Sequence, residues 1–139
     1  MYERYLAMAQ SNLGVLYFQS GRFEETEIYW NSATHHYKSL YKKNPDCYAF
    51  DLAKSEYNLG RFYKAFKRYD EARTEYIKAL DIFNFLAEKN PAVYLMYLAE
   101  TKNSLSYVYA HQGCFVEAIR NVNDAISLFP NEPNYLDTK

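Results

Sequence analysis

Leu59-Gly60-Arg61-Phe62-Tyr63 stands near the middle of the chain, and it has a counterpart on either side. Leu13-Gly14-Val15-Leu16-Tyr17 lies 46 residues before it, and Leu105-Ser106-Tyr107-Val108-Tyr109 lies 46 residues after it. Working outward in this register, further columns are identical in all three copies: Tyr2/Tyr48/Tyr94, Leu6/Leu52/Leu98, Ala7/Ala53/Ala99, Glu25/Glu71/Glu117 and Ala33/Ala79/Ala125. Others keep their chemistry, such as Phe23/Tyr69/Phe115 and Tyr37/Phe83/Phe129. Self-similarity at a fixed period marks a repeat architecture, in which each unit buries its apolar face against the next. The chain is therefore read as one array, with repeats at 1–46, 47–92 and 93–130.

Each repeat reads as two helices. Asn44-Pro45 and Asn90-Pro91 are start signals, because Asn can cap a helix and Pro suits its first position. The first helix of each copy is predicted to run to about Ser20, Phe66 and Gln112. Gly21 and Gly113 mark two of the turns, and Lys67 holds the equivalent place in the middle copy. The second helix opens with acids (Glu24, Glu25; Asp70, Glu71; Glu117), which favour the positive end of a helix dipole. Its predicted inward face is spaced at three and four: Thr26, Trp30, Ala33, Tyr37, Leu40, then Ala72, Tyr76, Ala79, Phe83, Leu86, then Ala118, Val122, Ala125, Phe129. That is a helical period and not a strand period, so the fold class is all-α.

Composition agrees. The 139 residues include 16 Tyr, 9 Phe and 1 Trp with only 4 Gly and 4 Pro, which fits long packed helices. Sixteen Lys and Arg against 17 Asp and Glu leave a net charge of −1, too balanced for a nucleic-acid grip built on bulk positive charge. The longest apolar stretch, Ala92 to Ala99, is far shorter than the roughly 20 residues of a membrane span. Met1-Tyr2-Glu3-Arg4 opens no signal-peptide pattern, so a cytoplasmic location is expected.

The motif Leu-Gly-x-x-Tyr, followed by a small residue, an aromatic and an Ala, resembles the tetratricopeptide repeat. Leu13, Gly14 and Tyr17 with Thr26, Trp30 and Ala33 carry the resemblance in the first copy. Leu59, Gly60 and Tyr63 with Ala72, Tyr76 and Ala79 carry it in the second. Leu105 and Tyr109 with Ala118, Ala125 and Pro130 carry it in the third, where Ser106 and Val122 depart from the pattern. The usual period is about 34 residues; the longer period here is similar to that of kinesin light chain repeats and many bacterial repeat proteins. The resemblance implies a right-handed α-α superhelix of three antiparallel helix pairs. Gly14, Gly60 and Ser106 would be small where the helices of a pair approach closely. Asn131–Lys139 reads as the start of a further helix, so the chain is expected to be a piece of a longer array.

The resemblance also implies that the first helices line a concave groove that holds a peptide segment of a partner protein. The groove residues it would supply are Met8, Ser11, Asn12, Val15 and Phe18 from the first repeat, with Lys54, Tyr57, Asn58, Arg61 and Lys64 from the second. Asn103, Tyr107 and His111 come from the third. Lys54, Tyr57, Arg61 and Lys64 share one helical face, a cationic stripe that suits an acidic peptide. The bland alternative is a solvated face with Lys54 paired to Glu100. The clamp with which some family members hold a C-terminal carboxylate is expected to be absent: Asn12 and Asn58 fit it, but Ser11, Val15, Glu100 and Ser104 do not. Structural-spacer, self-association (through the terminal helices) and effector-regulating roles are the alternatives to peptide binding.

No nucleophile–base pair, phosphate loop or metal-ligand spacing is present, so neither an enzyme nor a cofactor is expected. His35 and His36 are adjacent and so point about 100° apart on a helix; His36, in the column of Ile82 and Leu128, is read as a packing residue. Cys47 and Cys114 fall at opposite edges of the array and are read as free thiols.

Overall fold

The computed structural model of the chain describes residues 2–129. Six helices follow one another: α1 (Tyr2–Gln19), α2 (Phe23–Lys43), α3 (Pro45–Ala65), α4 (Tyr69–Lys89), α5 (Pro91–His111) and α6 (Phe115–Ser127). Among the described residues there is no strand. Met1, Pro130 and the expected further element at 131–139 lie outside the described residues.

Each helix packs on the one before and the one after it, and α3 also touches α5, whereas α2 and α4 do not meet. Among the first helices α3 and α5 therefore come together on one side of the array. Second helices splay apart on the other. This is an α-α superhelix of three hairpins, and the 21-residue helices α2 to α5 are each about 30 Å long.

The repeat columns explain the core. Ala33, Tyr37 and Leu40 of α2 are buried against Ala7 and Leu52. Tyr76 of α4, fully buried, joins Leu59, Phe62 and Tyr63 of α3 with Leu105 and Val108 of α5. Phe83, Ala79 and Ala87 do the same with Ala53 and Leu98. Gly60 is small because a Cβ there would lie 2.7 Å from the Tyr76 ring, and Gly14 likewise faces the Trp30 indole. The third copy reverses both sizes at once: Ser106 replaces the glycine where Val122 replaces the large aromatic.

One local expectation needs correction. Asn44 and Asn90 make no side-chain cap; Asn44 Nδ2 donates instead to Cys47 Sγ at 3.1 Å. Their backbone N–H groups bond to Leu40 and Leu86, so each residue ends one helix and, at φ near −148° and −145°, redirects the chain into the next. Lys67 takes φ +60°, the left-handed conformation that Gly21 and Gly113 take at +79°.

Polar clamps join successive repeats. The Arg68 guanidinium forks onto Glu27 at 2.7 and 2.8 Å and onto Glu71, with the Tyr63 ring beneath it at 4.6 Å. That bidentate bond holds the Glu27 carboxyl below its ordinary pKa. At the next joint Gln112 accepts from Arg73 at 3.1 Å and donates to Asp70 at 2.6 Å. His36 is half-buried, and its Nδ1 lies 3.0 Å from Glu3 Oε2; it holds α1 to α2 through polar contact as well as packing.

One column inside the hairpins is polar throughout. Gln10, Glu56 and Lys102 stand in it, and Ser32, Lys78 and Asp124 stand in the column of the facing helix. Lys102 lies 3.7 Å from Asp124, a charge pair of the opposite polarity to Glu56 and Lys78. In the middle hairpin, however, Lys78 Nζ turns to Glu75 at 3.3 Å. Glu56, 5% exposed, keeps one oxygen without a hydrogen-bond partner, and burial with the nearby Glu75 raises its pKa to about 7.

Candidate functional site

The inner face is the side carried by the first helices α1, α3 and α5. Its central residues come from α3, where helical spacing brings Lys54, Tyr57, Asn58, Arg61 and Lys64 onto one side. Lys54 and Arg61 are exposed, and Lys64 is half-buried. No carboxylate pairs with any of these three cations among the described residues, and Lys54 makes no bridge to Glu100. The Lys54 ammonium lies 5.9 Å from the centre of the Phe50 ring instead.

Lys64 reaches across to α5, where its ammonium sits 5.0 Å from the centre of the Tyr107 ring. Burial and the neighbouring Arg61 charge push its pKa down from the ordinary lysine range. Tyr107 in turn lies 4.3 Å from His111, and His111 stacks on Tyr69 at 5.0 Å. Lys64, Tyr107 and His111 thus form one continuous cluster across the second and third repeats. Asn103 is exposed one helical turn before Tyr107.

The other candidate residues divide. Phe18 stacks on Trp30 at 6.2 Å and meets Phe62 edge-on at 6.4 Å, so it belongs to an aromatic group spanning the first joint. Tyr57 is half-buried with its ring 5.6 Å from Tyr76, and most of it serves the core. Met8, Asn12 and Val15 are exposed on α1, and Ser11 is half-buried; its carbonyl accepts a bond from the Trp30 indole at 3.1 Å.

Between α1 and α3 lies a pocket of about 240 Å³ lined by Phe18, Trp30, Asn58, Arg61, Phe62 and Ala65. Trp30 and Phe62 were not among the residues the sequence marked for this face. Trp30 was assigned to the inward face of its helix. It does fill that column, but it stays half-buried with its ring edge in the pocket. Only the packing angle between α1 and α3 could have shown that.

His35 and His36 lie edge to face at 5.7 Å, and among the described residues no group of three or more His, Cys, Asp or Glu could hold a metal ion. Cys47 and Cys114 are free. Among the described residues no helix is long and apolar enough to cross a membrane.

Stacked antiparallel hairpins with an inner face built from every first helix define a helical-repeat solenoid. Residues 53–84 match the family model of the tetratricopeptide repeat. The match covers less than half of the chain, and over that segment the chain is similar to a tetratricopeptide repeat. Its fold is similar to the crystal structure of BtubC (BKLC) from P. vanneervenii, with a TM-score of 0.73 and 23% identity over 92% of this chain and 50% of that one. It is also similar to the N-terminal domain of stress-induced protein-1 (STI-1) from C. elegans, with a TM-score of 0.70 and 16% identity over 94% and 90% of the two chains. The chain thus spans half the length of BtubC. No curated protein sequence matches it.

Proposed function

We infer that the chain is a protein-interaction module whose inner face receives an acidic peptide segment of a partner. The observation that carries this reading is the set of cations on α3, Lys54, Arg61 and Lys64, none of them paired with a carboxylate among the described residues. Several cations elsewhere are paired with carboxylates, as Arg68 is with Glu27 and Lys78 with Glu75. A row of one sign beside an apolar pocket instead favours carboxylates flanked by an apolar side chain. Arg61 borders that pocket and is the principal anchor, Lys64 with Tyr107 the second, and Asn58 the polar contact to the peptide backbone.

The test is binding of the purified chain to an array of short peptides of graded charge. Acidic peptides carrying a bulky apolar residue should be retained, and retention should fall as salt rises. Arg61→Glu together with Lys64→Glu should weaken it by roughly tenfold or more while leaving the helical circular-dichroism signal unchanged. Retention indifferent to peptide charge, or untouched by the double substitution, would overturn the assignment.

A further inference from the structure

The C-terminal half of α2 carries positive charge that the repeat does not require. No acidic residue occurs between Glu27 and Asp46, in a chain whose acids slightly outnumber its Lys and Arg. Within that stretch His35, Lys38, Ser39, Lys42 and Lys43 recur at a helical spacing of three and four and line a cavity of about 450 Å³. Ser39 is half-buried and the other four are exposed. Among the described residues no carboxylate pairs with His35, Lys38 or Lys42.

One wall of the cavity already holds an anion. The Glu3 carboxylate accepts a bond from Ser39 Oγ at 3.3 Å and lies 3.6 Å from Lys43 Nζ, with His36 Nδ1 3.0 Å away. The bond with His36, helped by Ser39 and Lys43, holds the Glu3 carboxyl below its ordinary pKa. That internal anion comes from α1 and leaves Lys38, Lys42 and His35 free.

Two structural explanations fall short. Cations favour the negative end of a helix dipole, but the effect fades beyond the last turn. Lys42 and Lys43 lie in that turn, whereas Lys38 and His35 stand before it, and α4 ends with Lys89 alone. Nor do the columns demand positive charge: their equivalents in α4 are Asp81, Asn84, Phe85, Glu88 and Lys89, two acids and one base. Those α4 positions are exposed although a hairpin stands on either side of theirs. Exposure of these columns therefore belongs to the outer face and not to the end of the array.

We propose that this face of α2 is a binding site for a soluble ligand that carries two or more phosphoryl groups. Its lining offers three ammonium groups, an imidazole and a hydroxyl, and no apolar side chain with which to hold a peptide side chain or enter a lipid layer. Lysine binds phosphate as a point charge, and each phosphoryl group brings a charge of about −1.5 to −2. From residue 35 to residue 43 the cations extend about 12 Å along the helix, farther than a single phosphate reaches. The site shares no residue with the inner face and does not depend on peptide binding there.

Calorimetric titration of the intact chain with inorganic tripolyphosphate tests this, with citrate and sulfate as anions of other chemistry. Tripolyphosphate should bind one to one and at least tenfold more tightly than citrate at equal ionic strength. Lys38→Gln with Lys42→Gln should weaken it at least tenfold. Lys54→Gln with Arg61→Gln removes the same two charges from the inner face and should leave it unchanged. All four side chains are exposed, so circular dichroism of both variants should match the parent. Three results would overturn the proposal. One is citrate or sulfate binding as tightly as tripolyphosphate, which would leave only diffuse attraction of anions. Another is a loss in the α2 variant no greater than in the inner-face variant, the mark of net charge and not of a site. The last is no binding of tripolyphosphate; capture of the chain by vesicles containing phosphatidylinositol bisphosphate would then assign the lysines to a membrane surface.

Discussion

The second and third hairpins present the same columns to different neighbours, and they differ most in burial. In α4, Tyr76, Ala79 and Phe83 are 0%, 0% and 1% exposed because α3 lies on one side and α5 on the other. Their equivalents, Val122 and Ala125 in α6 and Phe129 just beyond its end at Ser127, are half-exposed, with only α5 beside α6 among the described residues. The side chain's type is nearly constant at the Ala and Phe columns, so the neighbour decides its burial. In a repeat protein, stability at a given column is a property of the joint, and a residue contributes fully only where both joints exist.

The largest separation should come from truncation at the aromatic column. Tyr76→Ala should destabilise the chain by about 3–5 kcal/mol, as removal of a large buried ring does. Val122→Ala should lower stability by about 1 kcal/mol or less, since its surroundings are half open to water. Urea unfolding followed by circular dichroism measures both. Equal losses would break the comparison and mean that α6 is covered in solution.

Next is the polar column inside the hairpins. Glu56 has a pKa raised to about 7 from an unperturbed 4.5. Its folded state therefore holds the proton more tightly than its unfolded state. Stability from this group is greatest at low pH, is lost as pH rises from about 4.5 through about 7, and changes little above that. The full loss is on the order of 3 kcal/mol. Glu56→Gln, which copies Gln10 in the first repeat, should flatten this slope: it should match the parent near pH 4.5 and exceed it at pH 8. A parent profile that rises between pH 5 and 8 would show that the carboxylate finds a cation after all. Lys102 and Asp124, already paired in the third hairpin, are the internal contrast.

A smaller effect is expected from the helix contact. Gly60→Ala places a methyl group against the fixed Tyr76 ring and should destabilise by about 1–3 kcal/mol. Ser106→Ala, facing Val122, should change stability by no more than about 0.5 kcal/mol. If Gly60→Ala is loosened by the added substitution Tyr76→Val, the size exchange between the repeats is confirmed by measurement. The smallest effect is at the turn. Lys67→Gly relieves a left-handed lysine and should stabilise by about 0.5–1 kcal/mol, bringing the middle turn level with those at Gly21 and Gly113. No gain in midpoint would mean that the lysine's backbone strain is offset by the glycine's unfolded-state freedom.

Much of the fold was legible in the sequence because the period is written three times. The number of helices, their pairing and the core columns follow from Leu59, Gly60, Tyr63, Ala72, Tyr76 and Ala79 with their counterparts. What failed was local: Asn44 and Asn90 looked like caps, but each joins two helices at φ near −148° and −145° and makes no side-chain cap bond. On the inner face the cationic row of α3 was readable from spacing alone. The roles of Tyr57 and Trp30 were not, because each stands at the border between core and groove. Whether such a ring is covered depends on the angle at which neighbouring hairpins meet.

The sequence by itself determined the helical period, the hairpin repeat and the placement of positive charge on the middle repeat, since each depends on neighbours close along the chain. Tertiary structure alone decided which of those residues are free. It sent Lys78 to Glu75 and left Glu56 unpaired, set Lys64 over Tyr107 from the next repeat, and opened the pocket between Phe18 and Arg61. Those outcomes rest on distances between residues about 40 or more apart in sequence, or on competition among several nearby charges, and no periodicity specifies either.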